Sequence, residues 1–113
     1  MYIAWIKSNK PMDMYGNIPE VYESDNAVVF YDDEKKAEKI CKYLLPLIDE
    51  LFDSDLSYGD VSFFEAEKCR KICSVLQTNQ KYLQEKIGDK IFGTLYFACS
   101  EAVKRNTGVV IEL

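Results

Sequence analysis

The sequence has 113 residues, of which 48% are hydrophobic and 29% are charged. These values are typical of a globular protein and exclude a disordered or collagen-like chain, and the length predicts one domain over residues 1–113. The formal net charge of −5 disfavours a general affinity for nucleic-acid phosphates. No apolar run approaches the about 20 residues of a membrane-spanning helix, and the first residues lack the pattern of a signal peptide, so we expect a cytoplasmic protein.

The first half of the chain predicts two strands separated by a long loop. Residues 2–7 alternate enough to form the first strand, and the apolar burst at residues 27–31 predicts a second, buried one. Between them, residues 8–26 are rich in Asn, Asp, Pro, Gly and Ser, which predicts a loop with room for a short strand at residues 18–22.

A long helix is predicted after the second strand. From Asp33 to Phe52 the apolar residues recur at steps of three and four, the pattern of a helix with one face in the core. Asp32 and Asp33 suit its N-terminus, where a negative charge meets unpaired amides. Pro46 lacks the backbone donor of the helix ladder, so we expect a kink near Lys42.

Two further helices are predicted before residue 89. Residues 62–65 match a capping box, with Val61 as a hydrophobic staple, which predicts a helix that starts there and turns Phe63 inward. A short third helix with Tyr82, Leu83 and Ile87 in its apolar face should end at Gly88.

Residues 89–105 fit either a helix or an aromatic strand. We favour the helix, with Asp89 as its N-cap, because the apolar residues again fall at steps of three and four. Asn106 to Gly108 should end it, and residues 109–113 predict a terminal strand. The predicted fold class is α+β, a single domain with a three- to four-stranded, mostly antiparallel sheet packed against three to four helices.

The residues that usually bind metals are missing or wrongly spaced. There is no His and no Cys-x-x-Cys, so a zinc site is not expected. The four cysteines, Cys41, Cys69, Cys73 and Cys99, fall at core positions of helices and are expected to be buried thiols rather than disulfides. The segment from Asp53 resembles a calcium loop, but its Gly and its final Glu each come one residue late.

Catalytic signatures are also missing. The chain has no His as a general base, no nucleophile elbow, no phosphate loop and no dinucleotide fingerprint. None of the cysteines has a sequence neighbourhood that would activate it. We therefore expect a protein that is not an enzyme and that uses no cofactor and no metal.

The acidity of the chain is concentrated in one window. Seven carboxylates lie between residues 49 and 67, and no Lys or Arg occurs between Lys42 and Lys68. Charge runs of this kind are often only solvated surface. Flanked by aromatic residues (Tyr58, Phe63 and Phe64), the window also suits a surface that covers a basic protein partner. On this second interpretation the predicted contact residues are Asp49, Asp53, Asp55, Tyr58, Asp60 and Glu65.

The layout of the chain resembles small bacterial immunity proteins, the acidic single-domain inhibitors of contact-dependent or polymorphic toxins. The resemblance is carried by the opening strand at 2–6, the strand that runs into a helix at 28–37 and the terminal strand at 109–113. It implies a cytosolic inhibitor of one cognate toxin domain, often a nuclease, with no direct contact to nucleic acid or membrane. The alternative is a homo-oligomeric structural domain that associates through a sheet edge or through the aromatic residues near Trp5.

Overall fold

The computed structural model describes residues 2–6, 27–31, 34–52 and 61–112. The loop predicted at 8–26, with its short strand at 18–22, lies outside these ranges. The described helices and strands are, in chain order, β1 (Tyr2–Ile6), β2 (Ala27–Tyr31), α1 (Glu34–Tyr43), α2 (Leu45–Phe52), β3 (Val61–Glu65), α3 (Ala66–Thr78), α4 (Gln80–Ile87), α5 (Asp89–Arg105) and β4 (Gly108–Glu112). The α+β class predicted from the sequence is confirmed.

The four described strands form one antiparallel sheet in the order β2-β1-β4-β3. The terminal strand β4 lies between the first strand and β3, with Trp5 opposite Val109 on one side and Phe64 opposite Val109 on the other. Because paired residues point to the same face, Trp5, Val109 and Phe64 share one face of the sheet. The sheet therefore joins both ends of the described chain.

Helices α3 and α5 pack on that face and on each other. The side chains of the sheet and of α5 belong to one buried cluster, in which Ile3, Trp5, Phe64, Val109 and Ile111 meet the apolar stripe of α5. That stripe consists of Ile91, Phe92, Leu95, Ala98, Cys99 and Ala102. Its three- and four-residue spacing is the helical period, so α5 buries one face along its whole length.

The helix predicted from Asp33 to Phe52 is two helices. The helix breaks at Leu44, whose amide still donates to the Ile40 carbonyl at 2.9 Å, and α2 begins at the next residue. Pro46 is the second residue of α2 and has no N–H to continue the ladder of α1, so the break falls close to the kink that the sequence predicts. With this break the structure describes five helices, where the sequence predicts three to four.

The helix start predicted at Ser62 is wrong. Residues Val61–Glu65 form strand β3, and α3 begins only at Ala66. Pairing with β4 gives this segment its backbone hydrogen bonds and buries Phe64 to 5% exposure. Burial of a Phe is worth about 1.5–3 kcal/mol, more than the about 1 kcal/mol of a typical cap. Phe63 points the other way and is 42% exposed, which corrects its predicted place in the core.

The last two helices end as the sequence predicts. Gly88 terminates α4 with a φ of 89°, and it also occupies the N-cap position of α5, so Asp89 is the first helical residue and not the cap. At the other end Asn106 adopts the left-handed conformation, with the Thr107 amide bonded to the Ala102 carbonyl at 2.9 Å. This is a Schellman motif, in which the left-handed residue is most often Gly and sometimes Asn.

Candidate functional site

The acidic window of the sequence is flanked by two elements that touch. The rings of Phe52, the last residue of α2, and Phe64 of β3 lie with their centroids 6.0 Å apart. The Lys68 ammonium, from the first turn of α3, lies 5.6 Å from the Phe52 ring centroid. The end of α2 and the junction between β3 and α3 are therefore neighbours, and residues 53–60 connect them.

Three of the four described carboxylates of the window, Glu50, Glu65 and Glu67, are exposed. The fourth, Asp49, is partly buried on α2. Glu65 occupies the N-cap position of α3 without a capping hydrogen bond from its side chain, so its carboxylate is not committed to the helix. Glu67 pairs with Arg70 at 3.6 Å, and both side chains are about two-thirds exposed. Such an exposed pair contributes little to stability.

Of the six predicted contact residues, the structure describes two. Asp49 and Glu65 lie on the two elements that meet at Phe52 and Phe64. Asp53, Asp55, Tyr58 and Asp60 lie outside the described residues. Asp49 and Glu65, which were predicted to contact the same partner, therefore lie on neighbouring elements, α2 and β3.

The apolar residues near the window differ from the prediction. Phe64 is a core residue at 5% exposure and cannot contact a partner, whereas Phe63 is exposed on the opposite face of the sheet. Leu51 of α2 is 38% exposed although its spacing places it in the core stripe. Phe52, the next residue and the last of α2, is partly buried, so it and not Leu51 continues the buried side of the helix.

Basic residues gather on a different pair of helices. Helix α1 packs against α4, where Tyr43 and Tyr82 meet edge to face with ring centroids 6.4 Å apart. The ammonium groups of Lys42 and Lys86 lie 5.4 and 5.5 Å from the Tyr43 ring centroid. Cation–π contacts of this kind hold two positive charges over one ring. Of the five described helices, only α2 carries acidic residues and no Lys or Arg, whereas α1 and α4 carry both signs.

Three of the four cysteines meet where α3 packs on α5, a grouping that the sequence did not reveal. Cys69 and Cys99 are buried thiols, as predicted, but Cys73 and Cys41 are only partly buried. The neighbouring Cys99 thiol has the largest influence on the pKa of Cys73 and, with a lesser contribution from Ser100, lowers it to about 7, although burial opposes the shift. The same contacts with Cys69 and Cys73, together with burial, raise the pKa of Cys99 well above its ordinary value.

Within the described ranges, no three His, Cys, Asp or Glu side chains are arranged to hold a metal ion. None of the helices described for this chain combines the length and the apolar composition needed to cross a membrane. No protein-family model matches the sequence, and no curated protein or solved structure is significantly similar to it. The resemblance to immunity proteins therefore stays a prediction.

Proposed function

We propose that this protein is a non-enzymatic, cytoplasmic binding protein that covers a basic surface of a protein partner with its acidic surface. The acidic surface is defined as Asp49, Glu50 and Glu65 together with the segment 53–60. One observation carries the proposal. The six carboxylates of the acidic surface follow one another in the sequence without an intervening Lys or Arg, and the elements on either side of segment 53–60 meet at the contact between Phe52 and Phe64.

A cluster of like charges affects mainly the rate at which a protein associates with an oppositely charged partner. Complementary charges steer two proteins together and can raise the association rate by 10-fold or more at low salt. The acidic surface contains no Lys or Arg of its own, and the positive charges that follow it in the chain are Lys68, Arg70 and Lys71 on α3. Arg70 is paired with Glu67, and the Lys68 ammonium lies over the Phe52 ring.

The resemblance to immunity proteins gives the proposal its biological form. On that basis the partner is a cognate toxin domain, often a nuclease, and binding inhibits it. A basic nuclease surface is the natural complement of clustered carboxylates, because it evolved to hold phosphates. The protein would thus occupy the toxin surface that nucleic acid needs, without touching nucleic acid itself.

Two matched variants test the proposal. Glu50→Lys/Glu65→Lys reverses two exposed charges on the acidic surface, and Glu38→Lys/Glu85→Lys reverses two exposed charges on α1 and α4. Both variants change the net charge equally. Tagged wild type and both variants are used as baits in lysate of the native cell and eluted with a salt gradient, after circular dichroism confirms that each is folded.

A basic protein held by the wild type and by the α1/α4 variant, but lost or eluted at much lower salt from the acidic-surface variant, supports the proposal. We expect an association rate about 10-fold lower for the latter at low salt, with the difference shrinking as salt screens the charges. Equal binding by all three baits would show that the acidic surface is not the contact. The partner's activity is then assayed with and without this protein, and an unaffected activity would rule out inhibition.

A second candidate function is self-association through the sheet. Among the described strands β3 is at an edge, and Phe63 is 42% exposed on it. Exposed edges with apolar side chains are surfaces on which a second copy can add its strand. Light scattering after size exclusion distinguishes the two functions. A stable dimer in wild type that dissociates in Phe63→Lys favours self-association, and a monomer at all concentrations rules it out.

A further inference from the structure

The thiol cluster, defined as Cys69, Cys73 and Cys99, lies between the two helices that pack most closely on the sheet. Cys69 and Cys73 are four residues apart on α3 and so share the face turned toward α5, which carries Cys99. Cys69 and Cys99 have no exposed surface, whereas Cys73 is only partly buried. Cys73 is therefore the member of the cluster that a small molecule can reach.

Hydrogen bonds make the three thiols chemically unequal. Cys69 donates to the backbone carbonyl of Phe64 at 3.2 Å, so its proton is engaged away from the other sulfurs. The Cys73 sulfur lies 3.8 Å from the Ser100 hydroxyl, and the adjacent Cys99 thiol has the largest influence in lowering the pKa of Cys73. Donors that point at a sulfur stabilise its thiolate, which is the reactive form of cysteine. Cys99, buried between two sulfurs, keeps its proton.

We infer that Cys73 is an oxidation site that reacts with hydroperoxides, and that Cys99 resolves the product as a disulfide that joins α3 to α5. A reachable nucleophilic thiol beside a second, protected thiol is the arrangement found in cysteines that respond to peroxide. Cys41 lies on α1, outside the thiol cluster, and is also partly buried. It is therefore a natural internal control.

The proposed reaction has two steps. The Cys73 thiolate attacks the terminal oxygen of the hydroperoxide, so that an S–O bond forms, the O–O bond breaks and Cys73 becomes a sulfenic acid. The leaving alkoxide takes a proton from water and becomes an alcohol; when the oxidant is hydrogen peroxide, the leaving group is hydroxide. The Cys99 sulfur then attacks the Cys73 sulfenic acid. An S–S bond forms, the S–O bond breaks, and the Cys99 proton leaves with the hydroxide as water. The two thiols are oxidised and the peroxide is reduced.

The neighbouring groups also predict how Cys73 responds to pH. The groups that influence it are the Cys99 thiol and the Ser100 hydroxyl, both from α5, and the Ser100 hydroxyl carries no charge. With a pKa of about 7, half of Cys73 is thiolate at pH 7, whereas an ordinary thiol of pKa 9.0 is about 1% thiolate there. Its alkylation by iodoacetamide should therefore reach about half of its plateau rate at pH 7.

Peptide mapping of the whole wild-type protein tests the proposal without any substitution. The protein is treated with hydrogen peroxide, its remaining thiols are alkylated, and trypsin is added. Cleavage after Lys68, Arg70 and Lys71 separates Cys69 from Cys73, which leaves Cys73 alone in peptide 72–81 and Cys99 alone in peptide 91–104. We expect these two peptides to be joined by a disulfide, and we expect peptide 40–42, with Cys41, to be alkylated.

Other maps would overturn the inference. Peptide 72–81 fully alkylated while another cysteine is oxidised would exclude Cys73 as the reactive site. A disulfide between 69–70 and 91–104 would exclude the assigned pair.

Variants then separate the two roles. In Cys99→Ala, the Cys73 sulfenic acid should persist and react with dimedone, and the half-maximal pH of alkylation should rise, because the largest influence lowering the Cys73 pKa is gone. Cys73→Ser should abolish the cross-link, and Cys41→Ser should leave it unchanged. Loss of the cross-link in Cys41→Ser would contradict the inference. If Cys99→Ala does not fold, the wild-type peptide map still decides.

Discussion

Gly108 lies where strands β3 and β4 pair, and replacing it with alanine tests the pairing that corrects the sequence prediction. A Cβ atom placed on Gly108 would lie 2.5 Å from two atoms of the Phe63 ring and 2.7 Å from the Phe64 carbonyl oxygen. Real Cβ atoms do not approach other atoms so closely. The Phe63 ring can turn away because it is 42% exposed, but the Phe64 carbonyl belongs to the backbone of β3. We therefore expect Gly108→Ala to push the two strands apart.

The expected magnitude follows from the overlap. Forcing extra atoms into a packed site typically costs about 1–3 kcal/mol. At about 2.1 cal/mol/K of unfolding entropy per residue, each kcal/mol corresponds to about 4 °C in the melting temperature of 113 residues, so Tm should fall by about 4–13 °C. Gly93 is the matched control, since it is exposed in the middle of α5 and a Cβ there would meet nothing within 4 Å. Gly93→Ala should raise stability by about 1 kcal/mol, because alanine favours the helix.

The measurement is urea unfolding and thermal melting of wild type, both alanine variants, Phe63→Ala, and Phe63→Ala/Gly108→Ala. Removing the ring relieves two of the three short contacts, so Gly108→Ala should cost less in the Phe63→Ala background than alone. Two results together would refute the close approach of β3 to β4. They are a free energy of unfolding for Gly108→Ala within about 0.5 kcal/mol of wild type, and a cost of Gly108→Ala that is no smaller in the Phe63→Ala background. The register in which Phe64 enters the core would then also be wrong.

Three further substitutions test the buried face and the end of α5. Leu95 has no exposed surface, so Leu95→Ala should lower the free energy of unfolding in urea by about 2–5 kcal/mol. Phe97 lies two residues further on and is 49% exposed, so Phe97→Ala should cost only about 1 kcal/mol, through the loss of its edge contact with Trp5. Equal costs would mean that α5 does not turn the assigned face inward. Asn106→Ala should lower the unfolding free energy by about 1 kcal/mol, because alanine resists a φ of 53°, and an unchanged stability would contradict the left-handed ending of α5.

The elements that the sequence predicted correctly carry their signal within a few residues. The apolar burst at Ala27–Tyr31 appears as β2, and the stripe from Ile91 to Ala102 appears as the buried face of α5. Gly88 and Asn106 end helices at the positions that the sequence predicts, and both residues adopt a positive φ. Each of these elements depends on residues close in sequence, or on burying an apolar face against the core whatever its detailed shape. A local sequence pattern is therefore enough to predict it.

Residues 61–65 show where a local pattern is not enough. Their capping-box pattern competes with pairing to β4, which begins more than 40 residues later in the chain, and the pairing wins because it satisfies the backbone and buries Phe64 together. The concentration of carboxylates is visible in the sequence. That the flanking elements meet at Phe52 and Phe64 is not, because ring contacts between a helix and a strand have no local signature.

The cysteines also show what the sequence can predict and what depends on the tertiary structure. Composition and spacing alone determine that this chain has four cysteines at helical spacing and no Cys-x-x-Cys, although only Cys69 and Cys99 are fully buried. Only the packing of α3 on α5 brings Cys73 against Cys99 and Ser100 and makes one thiol different from the others. The physical reason is that a pKa depends on the atoms within a few ångströms of the group, and those atoms come from residues about 26 positions away.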